Sequence, residues 1–78
     1  MLLRDIQVAE RLRCARSTVW YMTAAGTLPR PIRRGEKWSR WPSDEVDIIE
    51  QAITAGDSDE KLRNLSKELM AARSREAA

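Results

Sequence analysis

Residues 8–46 are cut into short pieces by residues that leave the backbone little choice. Gly26, Pro29, Pro31, Gly35 and Pro42 all fall in this stretch. Pro29 and Pro31 forbid a helix there, because proline lacks the amide a helix needs and its ring clashes with the preceding turn. Gly26 suits the left-handed position after a helix end, and Gly35 suits a tight turn between short strands. The consequence is an order of short helix, tight turn, second helix, hairpin and third helix. A chain of 78 residues has room for one domain whose core is only marginally stable alone, so oligomerisation or a bound partner would add to its order.

Each element carries its own signals. Asp5 is expected to cap a helix over residues 6–13, since its carboxylate can accept first-turn amides, with Val8, Ala9 and Leu12 on the apolar side. The second helix is expected to begin at Ala15 or Arg16 and to end at Ala25. Val19, Met22 and Thr23 group on one face of it, leaving Ser17, Trp20, Tyr21 and Ala24 on a face free to meet a ligand. In the second hairpin strand Trp38 and Arg40 point one way and Ser39 and Trp41 the other, which makes Trp41 the core candidate.

Ser43 is expected to cap the third helix, with Asp44 and Glu45 at the positive end of its dipole, Val46, Ile49 and Ile53 as its buried stripe and Gly56 at its end. Asp57, Ser58, Asp59 and Glu60 open a last helix, in which Leu62, Leu65, Leu69 and Ala72 recur at heptad-like spacing. That stripe either folds back on the chain's own core or meets a partner. Residues 74–78 are expected to fray. The reading is a mainly α fold with a small β-hairpin: a winged helix-turn-helix over residues 1–56, then a C-terminal helix and frayed tail over residues 57–78.

Charge is strongly divided along the chain. Residues 1–41 hold nine Arg and Lys against three Asp and Glu, a net +6, whereas residues 42–78 hold five against nine, a net −4. The basic half suits a polyanion, and the acidic helices are expected to face away from it. Cys14 is the only cysteine and His is absent, so no intramolecular disulfide can form and a reducing compartment is compatible. Cys14 reads as a small buried thiol in the inter-helix turn. The first residues lack the apolar run of a signal peptide and no later segment is long enough for a membrane span, so a cytoplasmic location is expected.

An enzyme is not expected. The sequence has no zinc-ligand cluster and no Gly-rich phosphate cradle, so no catalytic residue, metal, cofactor or small-molecule ligand is anticipated. The one carboxylate cluster, Asp44, Glu45, Asp47 and Glu50, reads as a capped, solvated helix face.

Double-stranded DNA is the expected partner. Arg16, Ser17, Trp20 and Tyr21 form the candidate recognition surface, because an early Arg can take a guanine edge in bidentate fashion while Ser or Tyr contacts phosphate or base. Two large aromatics side by side on a solvent face are costly without a partner. Trp20 lies at the edge of that face, so tucking into the core is its alternative. Arg33, Arg34 and Lys37 around Gly35, extended by Arg30 and Arg40, form a cationic strip suited to phosphate or minor-groove contact. Trp38, on the outer hairpin face, either lies over an arginine or makes a protein contact.

In this order and spacing, Val8-Ala9, Leu12, Arg16-Ser17-Thr18-Val19, Gly26 with Leu28-Pro29, the basic turn at Gly35, and Arg40-Trp41-Pro42-Ser43-Asp44-Glu45-Val46 resemble one known group. The stretch, about residues 3–54, is similar to the small winged-helix DNA-binding proteins of the MerR-like, AlpA-like and phage excisionase families. That resemblance implies either an AlpA-like transcription regulator or, as the favoured reading, an excisionase. An excisionase is a recombination directionality factor that binds tandem sites cooperatively, head to tail with neighbouring copies of itself, bends DNA and helps a phage integrase excise, inside a bacterial host cell. An interaction module using Trp20, Trp38 and the last helix is the reading from another class. Two positions depart from those families: Arg13 stands where Gly is usual in the turn, and Ala15 where Ser or Asp caps the second helix. These cost about 1–2 kcal/mol and about 1 kcal/mol. A rebuilt turn would shift the recognition helix by one residue and make Ser17 its cap.

Overall fold

The computed structural model describes residues 1–77 of the chain. Its first helix, α1 (Asp5–Leu12), runs into a turn that keeps the expected geometry despite the unexpected residues. Arg13 adopts φ 53 and ψ 49, a left-handed conformation. Its amide donates to the Glu10 carbonyl and that of Cys14 to the Ala9 carbonyl, which closes the helix end in a Schellman arrangement. Ala15 is then the cap residue of α2 (Arg16–Ala25), with no side-chain cap bond. The turn is therefore not rebuilt. The register is unshifted and Ser17 is a helical residue rather than the cap.

Two other caps stand one residue from where the sequence suggested. Arg4 precedes α1 and donates its amide to Gln7 Oε1 at 2.8 Å, while Asp5 is the first helical residue and accepts the Ile6 amide at 2.8 Å. A carboxylate there still favours the helix dipole. Pro42 precedes α3 (Ser43–Thr54), so Ser43 is inside it and caps nothing by its side chain. The Ser43 amide instead donates to the Met1 carbonyl at 2.8 Å.

That bond extends a pairing the sequence reading did not anticipate. β1 (Leu2–Leu3) lies antiparallel to β3 (Trp38–Pro42), with Leu3 opposite Trp41. β2 (Ile32–Arg34) pairs with the other edge of β3, giving a three-stranded antiparallel sheet in the order β1-β3-β2. The fold is four helices and this small sheet.

Leu3, Val8, Val19, Leu28, Trp41, Val46 and Ile49 make the buried core. Trp41 is 1% exposed, as strand parity requires, and its indole N–H donates to the Pro29 carbonyl at 2.9 Å. Burying an indole is favourable only where that N–H finds an acceptor. The stripe of α3 differs from expectation at its end: Ala52 is buried, whereas Ile53 is 43% exposed. Between them the helix turns about 100°, which carries Ile53 off the face that Ala52 shares with Ile49.

The last helix, α4 (Asp59–Ala77), closes over the same core. Leu62 is buried, Leu65 and Leu69 pack against the core cluster, and Ser66 is 1% exposed, its hydroxyl without a hydrogen-bond partner among the described residues. These leucines thus join α4 to the core formed by residues 1–56. α4 runs on to Ala77, and Ala78 lies outside the described residues. Among the described residues no helix is long and apolar enough to cross a membrane.

Candidate nucleic-acid interface

Three of the four residues singled out on α2 stand in solvent. Arg16, Ser17 and Tyr21 are exposed, Tyr21 by 72%. Arg16 is tethered loosely, its Nε 3.6 Å from Asp5 Oδ2 with 67% of the side chain still exposed. An ion pair that open is worth about 1 kcal/mol or less, so Arg16 can exchange it for another anion.

Trp20 is different. Its indole N–H donates to Asp5 Oδ2 at 3.0 Å, and its ring meets Trp41 edge-on, with centroids 5.1 Å apart and planes at 64°. The Arg33 guanidinium lies over the same ring, 5.9 Å from its centroid. Half-buried Trp20 is thus a joint that ties α2 to the start of α1, to the core and to the hairpin. Its place at the edge of the helical wheel allowed either outcome, and three partners from distant parts of the chain decided it. An aromatic pair of this kind adds about 0.5–1.5 kcal/mol beyond area burial, and an exposed cation over an indole about 0.5–1 kcal/mol.

The hairpin sorts its cations by strand parity. Arg33 pairs with Ser39 on the face turned to Trp20, while Arg34 pairs with Trp38 and Ile32 with Arg40 on the outer face. Arg40 covers the half-buried Trp38, its guanidinium 4.8 Å from the ring centroid, and donates to the Ser39 carbonyl at 2.9 Å. At the tip, Arg34, Glu36 and Lys37 are exposed around Gly35, and Arg30 is exposed at the base. The five cations do not form one strip. Arg33 and Arg40 are laid on indoles, and Arg30, Arg34 and Lys37 stand clear of any ion pair among the described residues.

The carboxylates also depart from expectation. Glu45 does not belong to a solvated face: it is 7% exposed and receives Arg73 of α4 through Nε at 2.7 Å and through Nη2. Arg73 Nη1 donates to the Arg30 carbonyl at 2.7 Å. One guanidinium therefore joins α3, α4 and the base of the hairpin. These partners lie 28 and 43 positions apart, so no local spacing could have signalled them. Asp47 pairs with Arg11 at the surface.

Nor do the acidic helices simply face away from the basic side. Arg73 and Ser74 share a cleft with Trp20 and Arg33, while Asp57 and Asp59 share another with Tyr21. The sum over each half of the chain stands, but α4 residues line clefts on both flanks of α2. Among the described residues no three His, Cys, Asp or Glu side chains converge in a way that could hold a metal ion. Comparison with protein-family models, with curated proteins and with solved structures finds no match for this chain.

Proposed function

We propose that the chain is a sequence-specific double-stranded DNA-binding protein of winged helix-turn-helix type, acting as an excisionase rather than as an enzyme. The observation that carries the reading is the joint at Trp20, which ties α2, with Arg16, Ser17 and Tyr21 exposed, to Arg33 of a hairpin whose tip exposes Arg34 and Lys37. In this reading α2 enters the major groove, where Arg16 takes a guanine edge and Ser17 and Tyr21 reach base or phosphate. The hairpin lies alongside as the wing, with Arg34 and Lys37 on phosphates or in the minor groove. No side chain caps α2, so its first amides are available to a phosphate oxygen as well.

As an excisionase it would bind tandem sites head to tail with copies of itself. Several small distortions would then sum to a bend that lets an integrase assemble for excision. Gel mobility on circularly permuted fragments tests this. Expected are a bend and cooperative filling of adjacent sites; a single isolated site without bend or cooperativity would leave a transcription regulator. Salt separates both from an apolar interaction module, because binding through about four to six phosphates falls steeply with ionic strength.

A further inference from the structure

We propose that a cationic groove between α2 and α4 is a second seat for the sugar-phosphate backbone of duplex DNA, with Arg30, Arg63 and Lys67 as its phosphate contacts. The inference rests on the DNA-binding reading above and assigns to it residues from the half of the chain that is acidic in sum.

Two clefts of about 780 and 260 Å³ share Thr23, Ala24, Arg30 and Met70 in their walls and so form one continuous groove. It opens at Trp20 and Arg33 under the hairpin and runs along α2 to Gly26, where Arg63 and Lys67 of α4 form the opposite wall. No Asp or Glu lines either cleft. By contrast, Glu10 and Glu50 stand with Arg11 and Arg13 in the cleft between α1 and α3, and Asp57 and Asp59 stand with Arg63 in the one beside Tyr21. Arg30, Arg63 and Lys67 are exposed and have no ion-pair partner among the described residues. Cations lining a concave, acid-free surface repel one another and concentrate a positive potential there, which a polyanion relieves.

The groove is held in shape. Arg73 is neutralised by Glu45 and bonds the Arg30 carbonyl, which fastens the α4 wall to the base of the hairpin. At the far end the Arg63 stem lies against Gly26: a Cβ on that glycine would stand 3.4 Å from Arg63 Cγ. A stem packed on apolar surface keeps its charged head in water beside it. Arg63 and Lys67 sit one turn apart on α4, about 6 Å along its axis, which is comparable to the step between successive phosphates of one strand.

The occupant follows from the two flanks of α2. Trp20 and Ala24 share a stripe with Ser17 and Tyr21, so a duplex that receives Ser17 and Tyr21 in its major groove brings a backbone past each side of the helix. One side carries Arg30 and Lys67, the other Asp57 and Asp59, and Arg63 lines the clefts on both. The acid-free side attracts phosphate more strongly, so the groove also favours one way for the duplex to lie on the protein.

Fluorescence anisotropy with a mixed-sequence duplex, repeated over a salt series, tests this. Arg30→Gln, Arg63→Gln and Lys67→Gln are compared with Lys61→Gln, which removes the same charge from an exposed α4 position that lines neither cleft. Each groove variant is expected to weaken binding about threefold to tenfold and to lower the slope of log K against log salt by about 0.9, with Lys61→Gln leaving the slope unchanged. Circular dichroism melting confirms that the variants remain folded. Groove variants indistinguishable from Lys61→Gln, in a protein whose binding still responds to Arg34→Gln, overturn the groove alone. A wild-type protein with no salt-dependent duplex binding overturns both the groove and the function on which it rests.

Discussion

Arg73, in the fourth helix, places two of its N–H groups on the carboxylate of Glu45 in the third and a further one on the carbonyl of Arg30 at the base of the hairpin. Glu45 is 7% exposed and the Arg73 side chain 23%. Removing one member of a buried pair leaves the other charge uncompensated, which costs about 3–5 kcal/mol when burial is complete and less here because Arg73 keeps some water. Arg73→Ala is expected to cost about 2–4 kcal/mol. The double change Glu45→Leu with Arg73→Met is expected to cost less than Arg73→Ala alone. Chemical denaturation measures both, and a double variant at least as unstable as the single would contradict the assigned pairing.

Trp20 offers a test of joint against reader. Trp20→Phe keeps the ring against Trp41 and under Arg33 but removes the donor to Asp5, a charged partner whose hydrogen bond is worth about 1.5–3 kcal/mol. A loss of about 1–2 kcal/mol is expected, since the site is half-buried, with base preference unchanged in a binding-site selection. A changed preference at unaltered stability would make Trp20 a reader after all.

Arg13 is the one residue other than glycine with positive φ among the described residues, at 53°. Arg13→Gly removes the clash of Cβ with the following carbonyl and gives back part of the gain through unfolded-state entropy. A net gain of about 1 kcal/mol is expected, or roughly 4–8 °C in melting temperature for a domain of this size. A lower melting temperature would mean that the Arg13 side chain makes a stabilising contact of its own.

Specificity should divide between α2 and the hairpin tip. Arg16→Ala is expected to relax preference at one base position, a loss of about 1–3 kcal/mol at that position. Arg34→Ala and Lys37→Ala are expected to weaken binding evenly across sequences and to lower the salt slope by about 0.9 each. Selection and salt titration on the same variants provide the check, and equal loss of preference from all three would contradict the division. Arg33 is a poorer probe of phosphate contact, because its removal also frees the Trp20 ring.

What could be read from the chain alone is what depends on near neighbours. Prolines excluded helix from the middle of the chain, Gly26 marked the end of α2, and alternation along β3 put Trp41 inside and Trp38 outside. Each rests on a backbone constraint that acts within a few residues. Caps moved by one residue: Gln7 accepts the Arg4 amide and the Met1 carbonyl accepts the Ser43 amide, so Asp5 and Ser43 are themselves the first residues of their helices. The pairing of β1 with β3, the burial of Glu45 under Arg73, and the capture of Trp20 by Asp5, Trp41 and Arg33 belong to the tertiary structure alone. In each, the partner lies many residues away, and a polar or amphipathic side chain takes whichever neighbour the packed core brings to it. Charge followed the same rule: its total in each half was legible from composition. Its placement, with an acid-free groove on one side of α2 and Asp57 and Asp59 on the other, was decided by how α4 folds back across the core.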